Sequence, residues 1–113
     1  MNMPSLQDWL WVEVMCIQAM IGAISLNFRQ VSLSFQNDCW ILAVTLEKDS
    51  IEDREEVSEI LTEFSTFLEG IKDKISKVAY TKVFANIEIS NDMPCPYMQG
   101  KSTRILFRRK EPG

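Results

Sequence analysis

SIEDREEVSEILTEFSTFLEGI, residues 50–71, is the stretch that decides the fold. Its apolar residues recur three or four positions apart, which is the pattern of an amphipathic helix packed against a core. They are Val57, Ile60, Leu61, Phe64, Phe67, Leu68 and Ile71. Ser50 is a favoured N-cap residue, and Asp53 three positions later completes a capping-box-like pattern. The stretch therefore predicts a helix that begins after Ser50 and ends near Gly70.

The residues before this helix predict two strands. Residues 27–35 alternate between polar and apolar side chains, which is the period of a half-buried strand. Residues 36–38, Gln-Asn-Asp, have turn chemistry, and residues 39–46 are almost wholly apolar, as in a central strand. Together these segments predict a β-hairpin.

The chain begins with a second, more apolar helix. Pro4 and Ser5 favour a helix start, and residues 6–23 continue it to about Gly22. Four apolar residues at spacings of 4, 3 and 4 define the face expected to be buried. They are Leu10, Val14, Ile17 and Ile21. The face is widened by five more apolar residues, so the helix is expected to be covered on most sides; they are Trp9, Trp11, Val12, Met15 and Met20.

After the central helix, residues 78–89 alternate again, residues 90–101 have loop composition, and residues 103–109 form a last short strand. Residues 110–113 are expected to be a frayed tail. The predicted fold is α+β in the order α-β-β-α-β-β, as one domain over residues 1–113. A second hairpin would make the four-stranded sheet wholly or mostly antiparallel, with two helices on one face.

The composition argues against catalysis. The chain has no histidine, which removes the usual general base near neutral pH and the commonest metal ligand. Cys16, Cys39 and Cys95 have no metal-ligand spacing, and the first two lie in apolar segments where core positions are expected. No catalytic residue, metal or cofactor is therefore predicted. A carboxylate-dependent enzyme on the acidic helix remains an alternative.

The net charge of −4 disfavours a nucleic-acid partner, because a negative surface repels phosphate. Residues 9–24 are apolar but contain charge and fall short of a membrane span, so no membrane contact is expected. The cysteine usage, together with no visible secretion signal, indicates reduced thiols and a cytoplasmic location.

Two surfaces are candidates for protein binding. One is the acidic face of the central helix, which could attract a basic partner; it carries Glu52, Glu55, Glu56, Glu59 and Glu63. The other is the open face of the sheet, where aromatic and charged side chains interleave. It is predicted to carry Tyr80, Lys82 and Phe84, with Arg104, Leu106 and Arg108 extending it on the last strand.

Two runs of sequence resemble a known family: QAMIGAISLNFRQV, residues 18–31, and LEKDSIEDRE, residues 46–55. Over about residues 15–70 the chain resembles small bacterial immunity proteins of polymorphic-toxin loci, of the contact-dependent growth inhibition type. The resemblance implies a non-catalytic protein that covers the active site of a cognate toxin domain, often a nuclease. Within the matched run, Asn27 and Arg29 lie where helix gives way to strand, and they are expected to have a structural role in satisfying exposed backbone groups.

The function hypothesis is therefore an immunity protein that binds a basic cognate toxin domain through the acidic helix and the sheet face. The alternative is a homodimeric structural or adaptor protein, joined through the sheet face or an edge strand.

Overall fold

The structure is a computed structural model, and it describes residues 3–80, 82–90 and 103–110. Its elements are α1 (Leu6–Met20), β1 (Phe28–Gln36), β2 (Cys39–Leu46), α2 (Ile51–Gly70), β3 (Lys82–Ile89) and β4 (Thr103–Arg108). This order confirms the predicted α-β-β-α-β-β arrangement. The predicted loop around Cys95 and the last three residues of the predicted tail lie outside the described residues.

Both helices begin at the predicted serines. Ser5 and Asp8 form a reciprocal capping box, in which the Ser5 hydroxyl accepts from the Asp8 N–H at 3.1 Å and the Asp8 carboxylate accepts from the Ser5 N–H at 3.0 Å. The Ser50 hydroxyl accepts from the Asp53 N–H at 3.2 Å. The first helix ends at Met20; Ile21 already has an extended backbone, with ψ of 124°, and Gly22 follows it with a φ of 84°.

The predicted β-hairpin between β1 and β2 is present. Gln36 pairs with Cys39, which leaves Asn37 and Asp38 as a two-residue loop. Both loop residues have positive φ, at 51° and 60°. Positive φ at both central positions is the geometry of a type I′ turn, which matches the right-handed twist of the flanking strands.

The predicted second hairpin is wrong. The strand order is β3-β2-β1-β4, so β3 and β4 lie on opposite edges of the sheet. Helix α2 carries the chain back along the sheet, and β3 therefore runs parallel to β2, while β4 pairs antiparallel with β1. The sheet is mixed: its pairings of β1 with β2 and with β4 are antiparallel, and its pairing of β2 with β3 is parallel.

One face of the sheet carries the core, and both helices cover it. The largest fully buried side chains include Trp40, Phe28 and Phe64. Trp40 packs edge-on against Trp9 of α1 with ring centroids 4.8 Å apart, and its indole N–H donates to the Ala79 carbonyl at 2.9 Å. The predicted stripe of α2 is buried as expected; its most buried members are Val57, Ile60, Phe64 and Leu68.

The predicted inner face of α1 is wrong for the four residues that define it, whereas Trp9, Val12 and Met20, which widen it, are buried as expected. Leu10, Val14, Ile17 and Ile21 are exposed. The side that packs on the sheet instead carries Trp9, Val12, Cys16, Ala19 and Met20. Helix α1 has apolar residues on two sides, and the contact of Trp9 with Trp40, together with the hydrogen bonds of Asp8 to Ser76, selects the rotation that buries the tryptophan.

No helix within the described ranges is long and apolar enough to cross a membrane.

Candidate protein-binding surface

The acidic face of α2 is displayed on the outside of the helical layer. Glu52, Glu55, Glu59 and Glu63 are exposed and Glu56 is half-buried. These five residues are called the acidic ridge below. They extend over 11 residue steps of helix, or about 17 Å at the usual helical rise. The ridge therefore forms a continuous row of negative charge.

Asp53 belongs to the same acidic segment but not to the ridge. It is buried, and its carboxylate accepts hydrogen bonds from the Ser25 hydroxyl at 2.9 Å and the Asn27 amide at 2.8 Å. The amide of Asn27 also donates to the Lys48 carbonyl at 2.7 Å and accepts from the Lys48 N–H at 2.9 Å. Asp53 therefore ties α2 to the start of β1 and is not available to a partner.

Arg29 adds a further segment to this junction between α2 and the start of β1. It is buried, and its guanidinium Nη1 donates to the Ser90 carbonyl at 3.1 Å. Asn27 and Arg29 thus satisfy backbone carbonyl and amide groups from two other segments. This confirms the structural role expected of both residues.

A groove runs between the end of α1 and the ridge. Ala19 and Ile60 are its buried floor, and Glu56, Glu59 and Glu63 line one wall. Ile21, Gly22 and Ala23 line the other wall. The groove is open to solvent, so its carboxylates are not enclosed in the way that a desolvated catalytic acid would need to be. It offers an acidic margin with apolar groups beside it, which suits a protein contact.

The residues predicted for the open sheet face do not all lie on it. Lys82 and Phe84 are exposed on β3, on the sheet face opposite the helices, where Phe84 pairs in register with Ile41. Tyr80 precedes the strand and turns toward the end of α2. Its hydroxyl donates to the Glu69 carboxylate, and the Lys72 ammonium lies 6.0 Å from the centre of its ring. Tyr80 is therefore at the edge of the sheet and not on its open face.

The predicted extension of this face onto β4 is wrong for Arg104. Its guanidinium lies 5.3 Å from the centre of the Trp9 ring, and its Nε is 3.8 Å from the Glu13 carboxylate, both on the helix side. Arg108 lies on the open face, where its Nε and Nη2 donate to the Gln30 side-chain oxygen at 3.0 and 2.7 Å. A register shift at Val31 and Ser32 explains the difference, because an extra residue in β4 reverses the alternation of its side chains.

The predicted partner-binding residues therefore lie on different sides of the molecule. The acidic ridge faces outward from the helical layer, whereas Lys82 and Phe84 face outward from the sheet. One rigid partner of ordinary size would engage one of these sides at a time.

The structure also exposes a surface that the sequence prediction assigned to the core. Four apolar residues of α1 and its C-cap residue are exposed to solvent: Leu6, Leu10, Val14, Ile17 and Ile21. These residues are called the α1 stripe below. Their 4-4-3-4 spacing is visible in the sequence, where it predicts an inner face. The apolar pattern alone does not distinguish this side of the helix from the side that carries Trp9, because both sides are apolar.

Over the described parts of the chain, no group of three or more histidine, cysteine or acidic side chains is arranged to hold a metal ion.

Comparison with curated proteins finds no match for this chain. A family model does match, over residues 7–111, and its description is MafI2 immunity protein. That match covers nearly all of the chain, including both helices and all four strands. It extends well beyond the segment on which the sequence resemblance to immunity proteins rests. The chain therefore belongs to the MafI2 immunity protein family.

Proposed function

We propose that this immunity protein neutralises a cognate toxin domain by binding it through the acidic ridge on α2. The observation that carries the proposal is the ridge itself: a row of carboxylates on one rigid helix, with a groove of apolar groups beside it. Rigid elements hold binding groups more accurately than loops do, and little ordering cost is paid on association.

The charge of the ridge favours a basic partner. A toxin that is a nuclease must hold phosphate groups, so its cleft would carry lysine and arginine. The acidic ridge would steer such a cleft toward itself and raise the rate of association. Occupation of the cleft by α2 would exclude the nucleic acid, and inhibition would then need no catalytic group on the immunity protein.

The proposal extends to the place of action. A toxin that enters a bacterial cell must be bound inside that cell, so we propose that the chain acts in the cytoplasm. Delivery of the toxin by contact-dependent growth inhibition is likewise part of the proposal.

The test is the association of the purified chain with the toxin domain encoded beside it. The double variant Glu55→Lys/Glu59→Lys is compared with Asp73→Lys/Glu88→Lys, which changes the net charge equally at exposed positions off the ridge. We expect the ridge variant to slow association by about 10-fold or more and the control to change it little. Wild-type association should also slow as salt rises, because exposed charges are screened. Equal effects of the two variants, or association that is independent of salt, would contradict the ridge as the binding site.

A further inference from the structure

The α1 stripe is a large apolar surface on the outside of the molecule. Its residues Leu6, Leu10, Val14, Ile17 and Ile21 are 68%, 53%, 47%, 44% and 75% exposed. Together they leave on the order of 500 Å² of apolar surface in one patch, near the upper end for a monomeric protein. Contiguous patches of this size mark interaction sites, because their exposure to water costs free energy.

The position of the stripe on the helix can be read from its neighbours. Glu13, which lies three residues after Leu10 and four before Ile17, faces Arg104 of β4. Trp11 lies on the other flank, where the Lys74 ammonium, in the segment after α2, is 5.7 Å from its ring centre. The stripe is therefore tilted toward β4, and of its five residues Ile21 at its end borders the groove beside the acidic ridge.

The chemistry of the stripe favours a second copy of the chain as its occupant. The charged residues of α1 are Asp8, which is buried, and Glu13, which faces Arg104. The stripe has no charge of its own to select a basic partner, in contrast to the ridge. A second copy presents the same apolar residues at the same spacing, and residues three and four apart interdigitate between packed helices.

We propose that two copies of this chain associate through their α1 stripes, with the helices antiparallel and a two-fold axis near Val14. Val14 lies eight residues after Leu6 and seven before Ile21, so an antiparallel pair brings the ends of the stripes together. The pair would bury on the order of 1,000 Å², which is at the lower limit for a specific interface. Antiparallel helix dipoles are favourable, and the tilt of the stripe keeps the two acidic ridges apart. Each ridge stays accessible, and the dimer would bind two toxin domains.

Sedimentation of the full chain tests the association. We compare Leu10→Glu/Ile17→Glu with Leu26→Glu/Ile51→Glu, which changes the same number of exposed apolar residues to the same acid off the stripe. The wild type and the control should be dimers. The stripe variant should raise the dimer dissociation constant by about 100-fold or more, because it places charge in an apolar contact. A monomeric wild type, or equal weakening by both variants, would overturn the proposal.

Cross-linking tests the geometry in a Cys39→Ser/Cys95→Ser background. Val14→Cys should form a disulfide with its own copy on mild oxidation, and Leu6→Cys should not, because its antiparallel neighbour is Ile21. Leu6→Cys combined with Ile21→Cys should cross-link. Equal self-linking of Leu6→Cys and Val14→Cys would overturn the antiparallel arrangement.

Measuring toxin binding by the stripe variant distinguishes failure of the dimer from failure of the proposed function. The dimer does not depend on the proposed function. The stripe variant should bind the toxin domain with wild-type affinity as a monomer. If the wild type is monomeric and the stripe variant loses toxin binding, the stripe is the toxin's surface and the dimer is overturned. If the ridge variant binds the toxin domain as the wild type does, the proposed function is contradicted and the dimer proposal stands.

Discussion

The carboxylate of Asp8 accepts hydrogen bonds from both the N–H and the hydroxyl of Ser76, at 3.1 and 2.7 Å. These two residues are 68 positions apart, so the N-terminal cap of α1 also fixes the segment that follows α2. Asp8 is buried, and it accepts as well from the N–H of Ser5. One side chain thus joins a local cap to a long-range contact.

Because of this contact, the unfolding free energy of the protein depends on pH. Burial raises the pKa of the Asp8 carboxyl group, but the hydrogen bonds from Ser76 and Ser5 outweigh burial and hold the pKa below its ordinary value of 3.8. Because the folded-state pKa is the lower one, the unfolded chain takes up the proton first as the pH falls. The contribution is fully present above the unfolded pKa and is lost as the pH falls through the folded pKa.

We therefore expect Asp8→Asn to cost about 2 kcal/mol of unfolding free energy at pH 7, since it removes the charge from several hydrogen bonds. The difference from the wild type should shrink on acidification through and below pH 3.8. Urea unfolding at pH 7 and at a pH below 3.8 measures this difference. Asp73→Asn, at an exposed position, is the control. A constant difference across this range would contradict the assignment.

The junction at Asn27 should be the second sensitive polar site. Its amide bonds to both backbone groups of Lys48 and to the Asp53 carboxylate. We expect Asn27→Ala to cost about 1–2 kcal/mol, because it leaves buried Asp53 with one partner fewer. Asn86→Ala, on exposed β3, should change the unfolding free energy by less than about 0.5 kcal/mol. Equal effects at the two asparagines would argue against the junction.

The thiol of Cys16 should be inert in the folded protein. Burial, together with the nearby charge of Glu13, raises the pKa of the Cys16 thiol to about 12. The thiolate is the reactive form, and at pH 8 it would make up about one part in 10,000. In a Cys39→Ser/Cys95→Ser background, we expect a thiol reagent to label no residue until urea is added. Rapid labelling of the native protein would show that Cys16 is accessible.

Much of the fold follows from local sequence pattern. The stripe of α2 has one apolar side, so its rotation was predictable, and Val57 and Phe64 are buried as expected. Ser5 and Ser50 act as caps through interactions within four residues, and such local chemistry is visible in sequence. The acidic ridge was predictable from the same local pattern, since it lies on the side of α2 opposite the buried apolar residues of that helix.

The remainder depends on contacts that a single pattern does not specify. Helix α1 has two apolar sides, and the choice between Trp9 and Leu10 as the inner residue is made by Trp40, 31 positions after Trp9. Alternation in β3 is the same whether its neighbour is parallel or antiparallel, so the pairing with β2 could not be read from it. The register shift in β4 moves Arg104 and Arg108 to opposite faces without any glycine to mark it.

The hairpin turn offers a stabilising substitution. Asp38 has a φ of 60°, a left-handed conformation that strains residues with a Cβ atom. Glycine adopts this conformation freely, and Asn-Gly is the preferred pair for a type I′ turn. We expect Asp38→Gly to raise the unfolding free energy by about 0.5–1 kcal/mol and Asp38→Ala to lower it, because aspartate tolerates this region better than alanine. Thermal unfolding measures both. Shifts of the same sign for glycine and alanine would mean that the effect comes from the aspartate side chain and not from the backbone.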